Sequence, residues 1–150
     1  MLGELDVPVT LIVDNAAHRY LDDLDHVLVG ADSIAADGSV INKIGTAGLA
    51  VSARERGVPV TVAAQTLKLH PQTLTGHTVE IEYRDESEVI AESERERIGD
   101  VEVHNPAFDV TPARHIDAIV TERGQFPPES IVVLLRELFG DSAEEPWAEP

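Results

Sequence analysis

The chain has 150 residues, 43% of them apolar, enough for one domain with a core of its own but not two. It holds no cysteine, which removes disulfides, thiolate metal sites and a cysteine nucleophile, and 28 Asp plus Glu against 11 Lys plus Arg give a formal charge of −17. That field opposes nucleic acid and anionic membranes, and neither a basic patch nor an apolar run long enough to span a bilayer offsets it. The acid is dispersed along the chain, and the bases are nine Arg and only two Lys, Lys43 and Lys68. This composition fits a cytoplasmic protein of a salty cell interior, where ions screen self-repulsion over short distances.

Residues 7–13, Val-Pro-Val-Thr-Leu-Ile-Val, form a short branched apolar run that predicts a strand covered on both faces. Asp14 or Asn15 can then cap a helix over 16–24. Residues 26–30 predict a second buried strand, and 32–39 a polar loop turning at Asp37-Gly38. A helix over 42–56 would bury Ile44, Ala47, Gly48 and Val51, and Gly57 and Pro59 stop it. Residues 58–64 predict a third strand. Strands alternating with helices through short connections predict right-handed crossovers and an α/β fold with a parallel sheet.

Residues 79–83 alternate like an edge strand, 85–100 read as a charged surface loop with a helical turn, and 101–104 as a short strand. Thr111-Pro112 has the chemistry of a helix start, 116–120 fits strand or helix alike, and 128–139 predicts the last helix. The expected organisation is one domain over 1–140 with a polar, frayed tail over 141–150.

Ligands of an open parallel sheet bind beyond the carboxyl ends of its strands. Four segments are expected on that rim: Asp14-Asn15, Gly30-Ala31-Asp32, Ala64-Gln65 with Lys68 behind, and His104-Asn105-Pro106. Asn42-Lys43 at a helix start adds backbone N–H groups, a dipole and an amine, all favouring an anion. Plainer readings stand beside these. Asp14 can be only a helix cap, Asp32 only structural, and Asn105-Pro106 only a turn. The six histidines lack ligand spacing, and neither a dinucleotide fingerprint nor a phosphate-binding P-loop is present, so no metal and no cofactor are expected.

Residues 29–33 (Val-Gly-Ala-Asp-Ser) and 37–46 (Asp-Gly-Ser-Val-Ile-Asn-Lys-Ile-Gly-Thr) resemble a known signature. So do 105–112 (Asn-Pro-Ala-Phe-Asp-Val-Thr-Pro) and 119–124 (Ile-Val-Thr-Glu-Arg-Gly). The family is that of the translation initiation factor 2B alpha, beta and delta subunits, with the ribose-1,5-bisphosphate and methylthioribose-1-phosphate isomerases. The likeness runs from about residue 5 to 140, and it implies the C-terminal half of the family fold, a Rossmann-like three-layer sandwich with a mainly parallel sheet.

The resemblance further implies that Asp32 is the general acid/base, and that Asn42, Lys43 and Lys68 contact the sugar phosphate. In the isomerases that aspartate works opposite a cysteine, which this chain lacks. The family's helical N-terminal domain and phosphate-gripping loops are not seen in these residues either. A translation initiation factor 2B subunit-like protein, not catalytic alone, is therefore expected. The alternative is half of an active aldose–ketose isomerase, completed by another segment or chain. A dimer or larger homo-oligomer, a sugar-phosphate ligand and a complementary N-terminal half are the implied partners.

Overall fold

The computed structural model describes residues 6–73, 76 and 80–140. Its strands are runs of branched residues bounded by turn residues: β1 (Val27–Val29), β2 (Ser33–Ala35), β3 (Val40–Lys43), β4 (Val60–Ala63), β5 (Leu69–His70), β6 (Phe108–Thr111), β7 (Ala118–Thr121) and β8 (Gly124–Phe126). One sheet has the order β1-β4-β7-β8, the first three strands parallel and β8 returning antiparallel. The other has the order β5-β2-β3-β6, with β5 parallel to β2 and the remaining pairs antiparallel. The fold is therefore mixed α/β. A parallel arrangement holds for the first sheet up to β7 and not for the second.

Four α-helices accompany the sheets among the described residues: α1 (Ala17–Tyr20), α2 (Thr46–Glu55), α3 (Glu92–Ile98) and α4 (Ile131–Phe139). Leu21, Ala50 and Ala53 pack with Val27, Val58 and Val60 in one core cluster. A second cluster joins Ile34, Val40, Val62, Leu69 and Ile119 to Ile131, Leu134 and Leu135 of α4. The spacing i, i+3, i+4 of those last three makes one face of the helix expected over 128–139. β4 contributes to both clusters, which fits its nearly unbroken apolar sequence.

Several expectations are corrected. Residues 7–13 make no strand: no described strand pairs with them, and Val9, Leu11 and Val13 are 58%, 94% and 73% exposed. The helix over 16–24 shrinks to α1 between two 3-10 turns, Asp14–Ala16 and Leu21–Asp23, and Asp14 makes no capping bond through its side chain. The polar loop over 32–39 is a hairpin of β2 and β3. In its turn Asp37 Oδ1 accepts from the Ser39 amide at 2.9 Å, and Gly38 sits at φ 81°. A Cβ on Gly38 would lie 2.4 Å from the Pro128 carbonyl oxygen, so glycine lets the turn meet the start of the last helix.

Helix α2 begins four residues later than expected, because Asn42 and Lys43 pair with Asp109 and Phe108 as strand. It buries Thr46, Ala50 and Ala53, leaving Ile44 and Val51 about half exposed, the opposite of the predicted face. Thr111 ends β6 instead of starting a helix; only a 3-10 turn, Ala113–His115, follows Pro112. Residues 101–104 form no strand, and 116–120 resolves as β7. Tyr83 makes one isolated bridge to Pro106, while Val79 of the expected edge strand and the tail over 141–150 lie outside the described residues.

Candidate functional site

The carboxyl ends of the parallel strands do collect predicted residues. Gly30, Ala31 and Asp32 leave β1 and lead directly into β2; the Asp32 amide donates to the Ile41 carbonyl of β3 at 2.9 Å. Ala64 and Gln65 leave β4, and a 3-10 turn, Thr66–Lys68, carries Lys68 to the start of β5. Since β5 pairs with β2 at Ile34↔Leu69, Lys68 and Asp32 lie at the same end of the second sheet, on neighbouring strands. On the other side of β2, β3 ends in Asn42 and Lys43. Asp32 thus stands between the strand led by Lys68 and the strand closed by Asn42-Lys43. Asp32 and Lys43 are exposed, and Asn42 and Lys68 half-buried.

Asp14 and Asn15 fall elsewhere. With Lys43, Ile12, Thr46 and Ser52 they line a cavity of about 660 Å³ beside the N-terminal half of α2. Lys43 is the predicted residue common to that cavity and the strand-end rim. Asn105 is not a rim residue: its side-chain amide donates to the Asp85 carbonyl at 2.9 Å, and its own carbonyl accepts from the Arg84 amide at 2.8 Å. Asn105 lies beside the isolated bridge of Tyr83 and Pro106.

The helix start expected to hold an external anion already holds a carboxylate. Asp109 of β6 accepts from the Gly45 amide at 2.7 Å and from the Ala47 amide at 3.1 Å, so the chain supplies its own anion to the positive end of α2. Below it, the Asn42 side-chain Nδ2 donates to Thr46 Oγ1 at 3.1 Å, and that hydroxyl donates to the Lys43 carbonyl at 2.7 Å. These bonds fix the backbone from which Lys43 projects.

Glu122, just past β7, is a second residue that the reading of the sequence did not single out. Its carboxylate accepts from the Thr66 amide at 3.0 Å and from the Thr66 hydroxyl. The hydroxyl bond, then the backbone bonds, hold the Glu122 carboxyl below the usual glutamate range. The strand-end rule that singled out Asp32 applies equally to Glu122 and could have found it. Among the described residues no group of three or more His, Asp or Glu is arranged to hold a metal ion, and no helix is long and apolar enough to cross a membrane.

A mixed α/β chain with an acid, an asparagine and two lysines at strand ends has the makings of a small-anion site, and comparison with known proteins narrows the class. The model of the initiation factor 2 subunit family matches residues 1–128, and the chain belongs to that family. It is 72% identical over 149 residues to a ribose 1,5-bisphosphate isomerase from Haloferax volcanii, covering 99% of this chain and 46% of that one. A 5-methylthioribose 1-phosphate isomerase structure from Pyrococcus horikoshii superimposes with TM-score 0.79 at 38% identity, over 91% of this chain and 40% of that one. A translation initiation factor eIF-2B structure from the same organism gives 0.73 at 34% identity, over 87% and 44%. The chain spans about half the length of the curated relatives it matches.

Proposed function

We propose that residues 1–140 are one domain, the C-terminal half of a Rossmann-like isomerase fold, and carry the sugar-phosphate-binding part of a ribose-1,5-bisphosphate-type site. The observation that carries this reading is the placement of Asp32 between Lys68 and Asn42-Lys43 at one end of the second sheet. Two ammonium groups and an amide suit a phosphorylated sugar, and a carboxyl between them suits proton transfer as an aldose phosphate opens and becomes a ketose phosphate. Asp32 would be the acid/base, with Asn42, Lys43 and Lys68 binding the sugar phosphate. Asp14, Asn15, Gly30, Ala31 and Gln65 would line the approach. The catalytic cysteine of the resemblance must come from elsewhere, so conversion needs a complementary N-terminal half, and the domain would act in the cytoplasm.

The same exposed surfaces favour assembly. Residues 7–13 lack a strand partner among the described residues, and Ile44 just before α2 and Val51 within it are about half exposed. We read these as contacts with that half or with a second subunit. The likeness to an initiation factor eIF-2B structure supports a second reading, a non-catalytic assembly module.

Calorimetric titration with ribose 1,5-bisphosphate in molar potassium chloride tests the first reading, with and without the N-terminal half of the Haloferax relative. Binding heat is expected, and Lys43→Ala or Lys68→Ala should weaken affinity by roughly 10-fold or more, the scale of a lost charged hydrogen bond. Absence of heat in both mixtures would reject the sugar-phosphate reading.

A further inference from the structure

The hairpin of β7 and β8 contributes nothing to the site as assigned above, yet its turn reaches across to the segment that carries Lys68. The Ala64 amide donates to the Val120 carbonyl at 3.0 Å, extending the β4–β7 ladder by one residue. One step further on, the two chains are joined by side chain instead: Glu122 takes both the amide and the hydroxyl of Thr66. The turn that aims Glu122 is itself tied, with Thr121 Oγ1 accepting from the Arg123 amide at 3.0 Å and donating to the Gly124 carbonyl at 3.4 Å. Thr66 opens the 3-10 turn that ends at Lys68, closed by the Lys68 amide on the Gln65 carbonyl at 2.9 Å. On its far side Lys68 is fixed by Leu69, buried and paired with Ile34.

We infer that Glu122 is a positioning residue for Lys68: by gripping Thr66 it sets the turn from which the lysine presents its amine beside Asp32. This rests on the reading of Lys68 as a phosphate-binding group. The chemistry agrees with the placement. Both Glu122 oxygens are turned to Thr66, which ties the carboxylate to the turn that carries Lys68. Hydrogen bonding keeps that carboxyl ionised well below neutral pH, so the grip holds throughout the neutral range.

The test is a double-mutant cycle on the full chain, mixed with the complementary half if binding needs it. The probe is ribose 1,5-bisphosphate and the variants are Glu122→Ala, Lys68→Ala and their combination. Glu122→Ala should weaken binding about 10-fold in the parent and leave it nearly unchanged in the Lys68→Ala background, because a residue acting through Lys68 has nothing left to act on. Equal losses in both backgrounds overturn the inference. Glu122→Gln, which keeps an acceptor for the Thr66 amide, should restore part of the loss.

Amide hydrogen exchange of Lys68 supplies a second measurement that needs no ligand. Glu122→Ala should speed exchange at Lys68 while leaving Val62 and Ile119 in the core unchanged, and an unaltered Lys68 rate counts against positioning. If neither parent nor variants bind the sugar phosphate, the site reading fails, and the exchange measurement still decides whether Glu122 holds Lys68.

Discussion

His115 is the residue where environment acts most plainly on chemistry. Its Nδ1 is buried without a hydrogen-bond partner among the described residues, and burial first, then Arg114 and Arg54, pushes the imidazole below the ordinary histidine range. The pH effect has a definite sign. Between the lowered native value and the unfolded value near 6.5, the unfolded chain binds a proton that the native chain refuses. Stability is therefore complete above about pH 6.5 and falls as pH drops toward the native value. Urea midpoints measured from pH 8 to pH 5.5 should decline along this limb. His115→Leu, which removes the titrating ring and leaves no unpaired polar atom, should flatten it.

At the scale of elements, the contact between β6 and α2 has the clearest energetic consequence. Asp109→Ala removes the acceptor for the Gly45 and Ala47 amides and should destabilise the chain by about 1–2 kcal/mol, readable as a lower urea midpoint. Asp109→Asn, keeping one acceptor oxygen, should cost less.

This contact also shows where reading from sequence stops. Asp109 lies 64 and 62 residues from Gly45 and Ala47, and Glu122 lies 56 from Thr66, distances at which no local spacing can announce a bond. Asp32 and Lys68 could be placed on one rim because the strand-end rule needs only a strand and the few residues after it, whereas Lys43, expected at a helix start, instead closes β3. The same limit governs the elements. Residues 60–63 and 131–139 form what their apolar patterns predict, since buried partners reward those patterns, whereas 118–121, whose pattern fits strand or helix alike, becomes strand by pairing with β4 and β8. Residues 7–13 carry as good a pattern but find no ladder, and a strand exists only by pairing. Residues 42–43 and 111 have helix-start chemistry that the β3–β6 ladder overrides.

Over the whole molecule the charge of −17 dominates. Isolated ion pairs at the surface, such as Asp22 with Arg56, add little against that self-repulsion. Raising potassium chloride from about 0.1 M to 1 M shortens the screening length from roughly 10 to 3 Å, so the melting temperature should rise steeply over that range. A flat response would mean that the acidic surface is already neutralised by its own geometry.

The scarcity of lysine beside nine arginines also makes the chain chemically selective. Its two lysines stand at the candidate site, Lys43 exposed and Lys68 half-buried. An amine-directed acylating reagent therefore meets side-chain targets at the site and nowhere else in these 150 residues. Modification rates at Lys43 and Lys68 become a two-channel footprint of occupancy, with guanidinium groups elsewhere silent to the reagent.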